Sequence, residues 1–303
     1  MPSRRAVLRG GGAALGIGSV AAVGSFAGVS SFGTDSDPDA ETDGDSDAES
    51  DDGRDDGTSV PASVLAAGSL QQVATRVGDA RVEAHGSVAC RRLLRDGLRD
   101  PDAVALADPR LFEGVAERVT CFATNALVVA VGPDSPAASH DDWRALLADR
   151  DLSIGRTDPE RDPLGYRTVM ALELADRLDA DSLLDRTTVH PETGLLRTLE
   201  AGGIDAAFAY RNMAVEHDLP FLELPDSIDF SNPELADEYA TVEFDLGEET
   251  VVGSPIQYAA SGRTERGRRW VRELASSGDA LRDAGFGVPD EYPEEHEVRR
   301  DRG

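Results

Sequence analysis

Between about residues 60 and 289, short apolar runs alternate with segments of helical periodicity, and no other feature constrains the fold as much. Strands are expected at 63–67, 103–107, 126–132, 152–156 and 204–210, with two more near Phe221 and Val242. Helices are expected at 87–98, 142–148, 164–178 and 192–200, in a short stretch after Asn212, and as a pair between 264 and 284. Strands interleaved with helices imply sheets covered on both faces, an α/β class. In open sheets of that kind, ligands lie off the carboxyl ends of the strands, beside helix N-termini. With 303 residues and 40% hydrophobic content, the chain is long enough for two lobes.

The ends of the chain read differently. Residues 3–9 are Ser-Arg-Arg-Ala-Val-Leu-Arg, followed by a Gly/Ala-rich apolar stretch to about residue 33, the order of a twin-arginine export signal or a retained anchor. The alternative is a short N-terminal helix, which so many glycines would make a poor one. From 34 to 59 the chain is mostly Asp, Glu, Ser, Gly and Thr, the composition of a self-repelling disordered linker. Residues 290–303 read as a second charged tail. The formal charge is -28, with 58 acids against 30 basic residues, every one of them Arg. Such a surface opposes nucleic acid, whose affinity comes from clustered cations, and suits very high salt, where screening removes self-repulsion. Cys90 and Cys121 are too few for a disulfide scaffold; they either pair or stay as two buried thiols.

Four places carry candidate chemistry. Ala67-Gly68-Ser69-Leu70 and His85-Gly86-Ser87-Val88 each follow an apolar strand and place a serine at a helix start. There, unpaired N–H groups, the helix dipole and a hydroxyl favour an anion, although ordinary capping explains either pair taken alone. Asp162-Pro163 opens the long helix as N-cap and first residue, and Pro191-Glu192 opens another, with Glu favoured electrostatically in a first turn. Neither acid by itself suggests an anion site, because a carboxylate competes for the same donors.

Taken together, residues 65–285 resemble the archaeal-type molybdate/tungstate solute-binding proteins of ABC transporters. The resemblance is carried by Ala67-Gly68-Ser69-Leu70, Glu83-Ala84-His85-Gly86-Ser87, Phe122-Ala123-Thr124-Asn125, Gly155-Arg156-Thr157-Asp158-Pro159, Asp162-Pro163-Leu164-Gly165-Tyr166-Arg167, Tyr210 and Pro255-Ile256-Gln257-Tyr258, in that order. It implies a two-lobed type II periplasmic-binding-protein fold with mixed, mainly parallel sheets and a hinge. It also implies that Ser69 and Ser87 hold oxo groups, with Gly68 and Gly86 beside them, and that Tyr210 lines the second lobe. Asn212 is a further candidate, standing where the family usually has Ser. Asp162 and Glu192 match acids that, in some members of the family, coordinate the metal centre of the oxyanion itself, which a hard, oxygen-loving centre permits. The implied partners are tungstate or molybdate and the permease subunit of an ABC importer. The implied protein is an exported, extracytoplasmic monomer close to the membrane, without cofactor or enzymatic activity.

Chain crossings place lobe one at 60–131 and 256–289 and lobe two at 132–255, with hinges near Val131 and Ile256. Two other classes are weighed against this reading. An enzyme of the same fold lacks support, since there is no nucleophile elbow, phosphate loop or His-Glu-x-x-His pattern, and His85 has no evident acid–base partner. A receptor for sulfate, phosphate or an organic acid would draw on Arg156, Arg167 or Arg211, which otherwise serve as salt-bridging partners on an acid-rich surface.

Overall fold

The computed structural model describes residues 60–247 and 249–298. The export signal or anchor and the acidic linker lie outside the described residues, as does the end of the charged tail from 299. Two sheets carry the fold. The first has six strands in the order Glu294–Glu297, Arg118–Thr124, Gln257–Gly262, Ala103–Leu106, Ala62–Ala67, Ala80–His85. The second has five, in the order Thr188–His190, Ile154–Thr157, Ala206–Tyr210, Leu127–Val131, Phe221–Glu223. A two-stranded ribbon, Glu243–Asp245 with Thr250–Val252, completes the set.

Central strands show why they read as unbroken apolar runs. Ala103–Leu106, Leu127–Val131 and Ala206–Tyr210 are buried at every position, so both of their faces meet packed side chains. Helices end where local chemistry stops them. Asp162 caps Pro163–Leu174 by accepting the Gly165 N–H at 3.0 Å, with Pro163 supplying the fixed φ of a first helical residue. This helix is buried nearly all round, whereas Glu265–Ser276, capped by Thr264, buries only the stripe of Gly267, Trp270, Val271, Leu274 and Ala275. The long helix, expected to run to residue 178, stops at Leu174, before Arg177 adopts φ 66°.

Three further features differ from the sequence reading. Both sheets are mixed, but parallel pairing does not prevail: it joins Ala62–Ala67 to its two neighbours and Ile154–Thr157 to its two, and the remaining pairs are antiparallel. The first crossing between lobes lies at Asn125 and Ala126, not near Val131, because Leu127–Val131 pairs with Ala206–Tyr210 in the second sheet. The return crossing falls between Val252 and Gln257. Part of the segment read as a charged tail, Glu294–Glu297, pairs antiparallel with Arg118–Thr124 at the edge of the first sheet. All four of its residues are exposed, and an edge strand rich in charge shows no apolar alternation that a sequence reading can detect. Cys90 and Cys121 are both buried free thiols.

Candidate functional site

The carboxyl ends of the first strands deliver two backbone turns to the boundary between lobes. After Ala62–Ala67, a single 3₁₀ turn, Gly68–Leu70, aims the Gly68 and Ser69 amides across that boundary. The Glu192 carboxylate of the second lobe takes both, at 2.9 and 3.2 Å. The contact needs glycine, since a Cβ on Gly68 would lie 2.6 Å from Glu192 Oε2. Gly86, after Ala80–His85, caps the helix Ser87–Arg95 without a side chain. A Cβ there would lie 2.5 Å from the Arg161 carbonyl oxygen and 2.6 Å from Asp162 Cβ. The Ala89 N–H donates to that same Arg161 carbonyl at 3.0 Å, so this helix start is also pressed against the second lobe.

The second lobe answers with acids. Asp162 is 2% exposed and Glu192 5% exposed, both without a cationic hydrogen-bond partner among the described residues. Asp162 Oδ1 takes the Thr157 hydroxyl at 2.9 Å as well as the Gly165 N–H. Burial pushes its carboxyl up to about 7, against the pull of those two donors. Glu192 rises to about 8, first through burial and then through the negative charge of Asp162, while the Gly68 amide and the Ser69 hydroxyl and amide draw it down. Tyr210 is fully buried at the end of its strand and feels both of their charges.

A shell of polar groups lies behind these residues. Ser87 Oγ accepts the Ala107 N–H at 3.0 Å, and Ser69 Oγ accepts the Tyr258 hydroxyl at 3.1 Å. The Tyr210 oxygen accepts from Arg167 Nη1 at 3.0 Å, and the same nitrogen reaches the Ala107 carbonyl at 2.9 Å. Arg167 is 1% exposed; burial opposes its charge, but Tyr210, Tyr166 and Asp108 keep it protonated. Burial likewise opposes ionisation of Asp108, yet Arg110 and Arg167 hold its carboxyl well below the usual range. Asp108 belongs to the first lobe and accepts from Tyr166 of the second at 2.8 Å, so this cluster spans the closed boundary. A groove of about 320 Å³ opens onto Gly68, Ser69 and Glu192, and runs outward past Gln72, Arg76 and Glu216.

The structure therefore brings Ser69 with Gly68, Ser87 with Gly86, Asp162, Glu192 and Tyr210 to one boundary. Asn212 stands apart in character. Its Nδ2 donates to the Ser69 carbonyl at 2.7 Å and to Glu216 Oε2 at 3.1 Å, and its Oδ1 takes Asn125 Nδ2 at 2.7 Å, so its polar atoms are spent on protein. His85 is paired with Glu83 at 2.8 Å on a half-exposed surface. Arg211 pairs with the exposed Glu223, and Arg156 hydrogen-bonds Thr187. Arg167 is the exception to the surface-pairing expectation, because it lies inside the boundary. Sequence reasoning named neither Asn125 nor Tyr258 as part of the site. Their only signal was membership of matching segments, since nothing local marks a buried hydroxyl or amide as a partner for residue 69. Among the described residues, no group of three or more His, Cys, Asp or Glu gathers to hold a metal ion, and no helix is long and apolar enough to cross a membrane.

Comparison with known proteins follows the same line. Residues 64–286 match the family described as bacterial extracellular solute-binding protein. A protein of Haloferax volcanii, provisionally named the molybdenum-binding protein of an ABC transporter, is 47% identical over 253 residues, covering 76% of this chain and 83% of that one. The molybdate/tungstate-binding protein of Thermococcus kodakarensis is 32% identical over 219 residues, 59% of this chain and 62% of the relative. In fold, the periplasmic molybdate-binding protein of Azotobacter vinelandii superposes with a TM-score of 0.55 at 16% identity, covering 76% of this chain and all of that one. Two lobes of mixed sheet, meeting at strand ends and helix starts, are the type II periplasmic-binding-protein architecture. By that architecture and by the match over most of its described length, the chain belongs to the bacterial extracellular solute-binding protein family.

Proposed function

We propose that this protein captures tungstate or molybdate outside the cytoplasm and hands it to the permease of an ABC importer. One observation carries the reading: a buried acid, Glu192, takes the Gly68 and Ser69 amides across the lobe boundary, and a second buried acid, Asp162, packs against Gly86 of that same lobe, neither with a cationic hydrogen-bond partner among the described residues. Amides and hydroxyls suit the oxygens of an anion, but carboxylates beside an anion repel it. The conflict disappears if the anion has a high-valent metal centre able to accept further oxygen ligands, since hard centres favour carboxylate. Sulfate and phosphate have no such vacancy. Ser69, Ser87 and Tyr210 then hold oxo groups, Gly68 and Gly86 let the backbone come close, and Asp162 and Glu192 reach the centre. Asn212 acts behind them.

Release and signalling depend on closure. Ligand bound between lobes stabilises the closed form, which the permease is built to recognise. Twin-arginine export, a monomeric state and adaptation to high salt complete the proposal, the last resting on a charge of -28 carried without a single Lys. Calorimetry and native mass spectrometry at high salt against tungstate, molybdate, sulfate and phosphate test it directly. Tungstate or molybdate should bind at least about 100-fold more tightly than sulfate, the ~2.7 kcal/mol that two added metal–oxygen contacts must supply. Tighter binding of sulfate or phosphate would sink the reading.

A further inference from the structure

We propose that Asn125, Tyr258 and Arg167 are positioning residues that set the hydrogen-bond polarity of the cleft, so that Ser69 and Tyr210, with Ser87, present protons and not lone pairs to a bound anion. The inference rests on the cleft being an oxyanion site, and it concerns a ring of residues that need not touch the ligand.

A hydroxyl can donate or accept, and its neighbours decide which. Ser87 Oγ is engaged by the Ala107 N–H at 3.0 Å, and a backbone N–H can only donate. The Tyr210 oxygen is engaged by Arg167 Nη1 at 3.0 Å, and a guanidinium has no lone pair to offer in return. Ser69 Oγ is engaged by the Tyr258 hydroxyl at 3.1 Å, a group that can reverse unless something holds it. Asn125 favours one direction: its Nδ2 donates to the Tyr258 oxygen at 3.3 Å and takes up one of that oxygen's acceptor sites. The orientation of that amide is itself determined, because Asn125 Oδ1 faces two backbone donors, the Ala126 N–H at 2.9 Å and the Asn212 N–H at 3.5 Å. Donation therefore runs from Asn125 through Tyr258 to Ser69. Each of the three oxygens is occupied from behind by a donor, which leaves its own proton to point away from that partner.

Asn125 also stands at the first crossing between lobes, and through Asn212 it is tied to the Ser69 carbonyl. Movement at that crossing changes the same bonds that aim Ser69, which links donor polarity to the closed state. A tetrahedral anion bearing no proton offers acceptors alone and satisfies such a ring. One that bears a proton brings its O–H against another donor, losing a hydrogen bond in a buried place. Asp162 and Glu192 remain able to accept that proton, so the informative quantity is how the preference changes when the ring is altered.

Tyr258→Phe is the sharpest probe. It removes one oxygen and keeps the ring, which lies edge-on to Tyr210 at 6.1 Å and to Phe286 at 5.2 Å. Affinities for sulfate and hydrogen phosphate, both doubly charged tetrahedra differing by one proton at pH 8, are measured at high salt, directly or by displacement of molybdate. Freed from Tyr258, Ser69 Oγ can turn and accept, so the sulfate-to-phosphate affinity ratio should fall about tenfold, the value of one hydrogen bond to a charged group. Tm should stay within about 2 °C. Asn125→Asp, which keeps the acceptor and deletes the donor, should move the ratio the same way. Equal proportional losses for both anions would overturn the proposal and leave Tyr258 a packing residue. If the intact protein holds sulfate but neither tungstate nor molybdate, the substrate reading falls while the ratio still decides the polarity. If it holds none of the four, both fall together.

Discussion

The two faces that meet at the boundary are built alike and charged differently. Both consist of strand ends and helix starts, but the first lobe presents Gly68, Ser69, Gly86 and Ser87, which are neutral donors, while the second presents Asp162, Glu192 and Tyr210. The acids also differ from each other. Asp162 caps its own helix through the Gly165 N–H, whereas Glu192 leaves its own helix start and spends its oxygens on amides of the opposite lobe. On the proposed reading, one face meets the outside of an oxyanion and the other something positive at its centre, and the ligand offsets the cost of the two buried acids.

The comparison breaks most decisively through the acids. Glu192→Gln or Asp162→Asn should weaken tungstate binding by about 100-fold, ~2.7 kcal/mol, and sulfate binding by less than about 3-fold, as calorimetry at high salt would read. Equal losses for the two anions would reduce these acids to structural groups, Asp162 a helix cap and Glu192 a tie between lobes.

The donor face offers a smaller and less selective effect. Gly86→Ala would place a methyl 2.5 Å from the Arg161 carbonyl oxygen, a backbone atom that cannot swing aside. It should hold the lobes slightly apart and lower affinity for every oxyanion alike, by roughly tenfold, a strain of ~1.4 kcal/mol. A loss confined to tungstate would contradict the division between faces.

The smallest effect is on stability without ligand. Asp162 and Glu192 are raised to about 7 and about 8 from ordinary values of 3.8 and 4.5. The folded state therefore holds more protons than the unfolded one between these limits, and stability falls as pH rises. Their contribution is complete below about pH 4 and lost as the pH passes through 7 to 8. Thermal unfolding of the ligand-free protein at fixed high salt should show a lower Tm at pH 8.5 than at pH 5.5, by at least about 2 °C. The Asp162→Asn, Glu192→Gln double variant should flatten that slope. A slope that persists unchanged would place the titration elsewhere.

Much of the fold was legible because its signals are local. Asp162-Pro163 announces a helix start through cap chemistry alone, and 192–200 appears as a helix over the same residues in sequence and structure. Continuous apolar runs such as Leu127–Val131 identify buried strands, but they do not say which sheet receives them, and the first crossing was misplaced by that strand for this reason. Glu294–Glu297 was hidden differently, since it is exposed throughout and owes its conformation to backbone pairing with Arg118–Thr124. Asn212 looked like a ligand donor because nothing in the sequence could show that Ser69, Asn125 and Glu216 use its polar atoms.

What the sequence determined by itself was the succession of strands and helices, the caps that begin the helices, and the glycine–serine and acidic residues placed at those starts. These depend on neighbours within a turn or two, where backbone propensity and capping act. Only the tertiary structure decided that Glu192 would serve Gly68 across a separation of 124 residues, that Tyr258 would engage Ser69 across 189, and that Arg167 would lie buried behind Tyr210. Contacts of that span form only when two sheets are assembled and closed, because their partners are chosen by burial and hydrogen-bond satisfaction in a folded interior and not by any preference of the local chain.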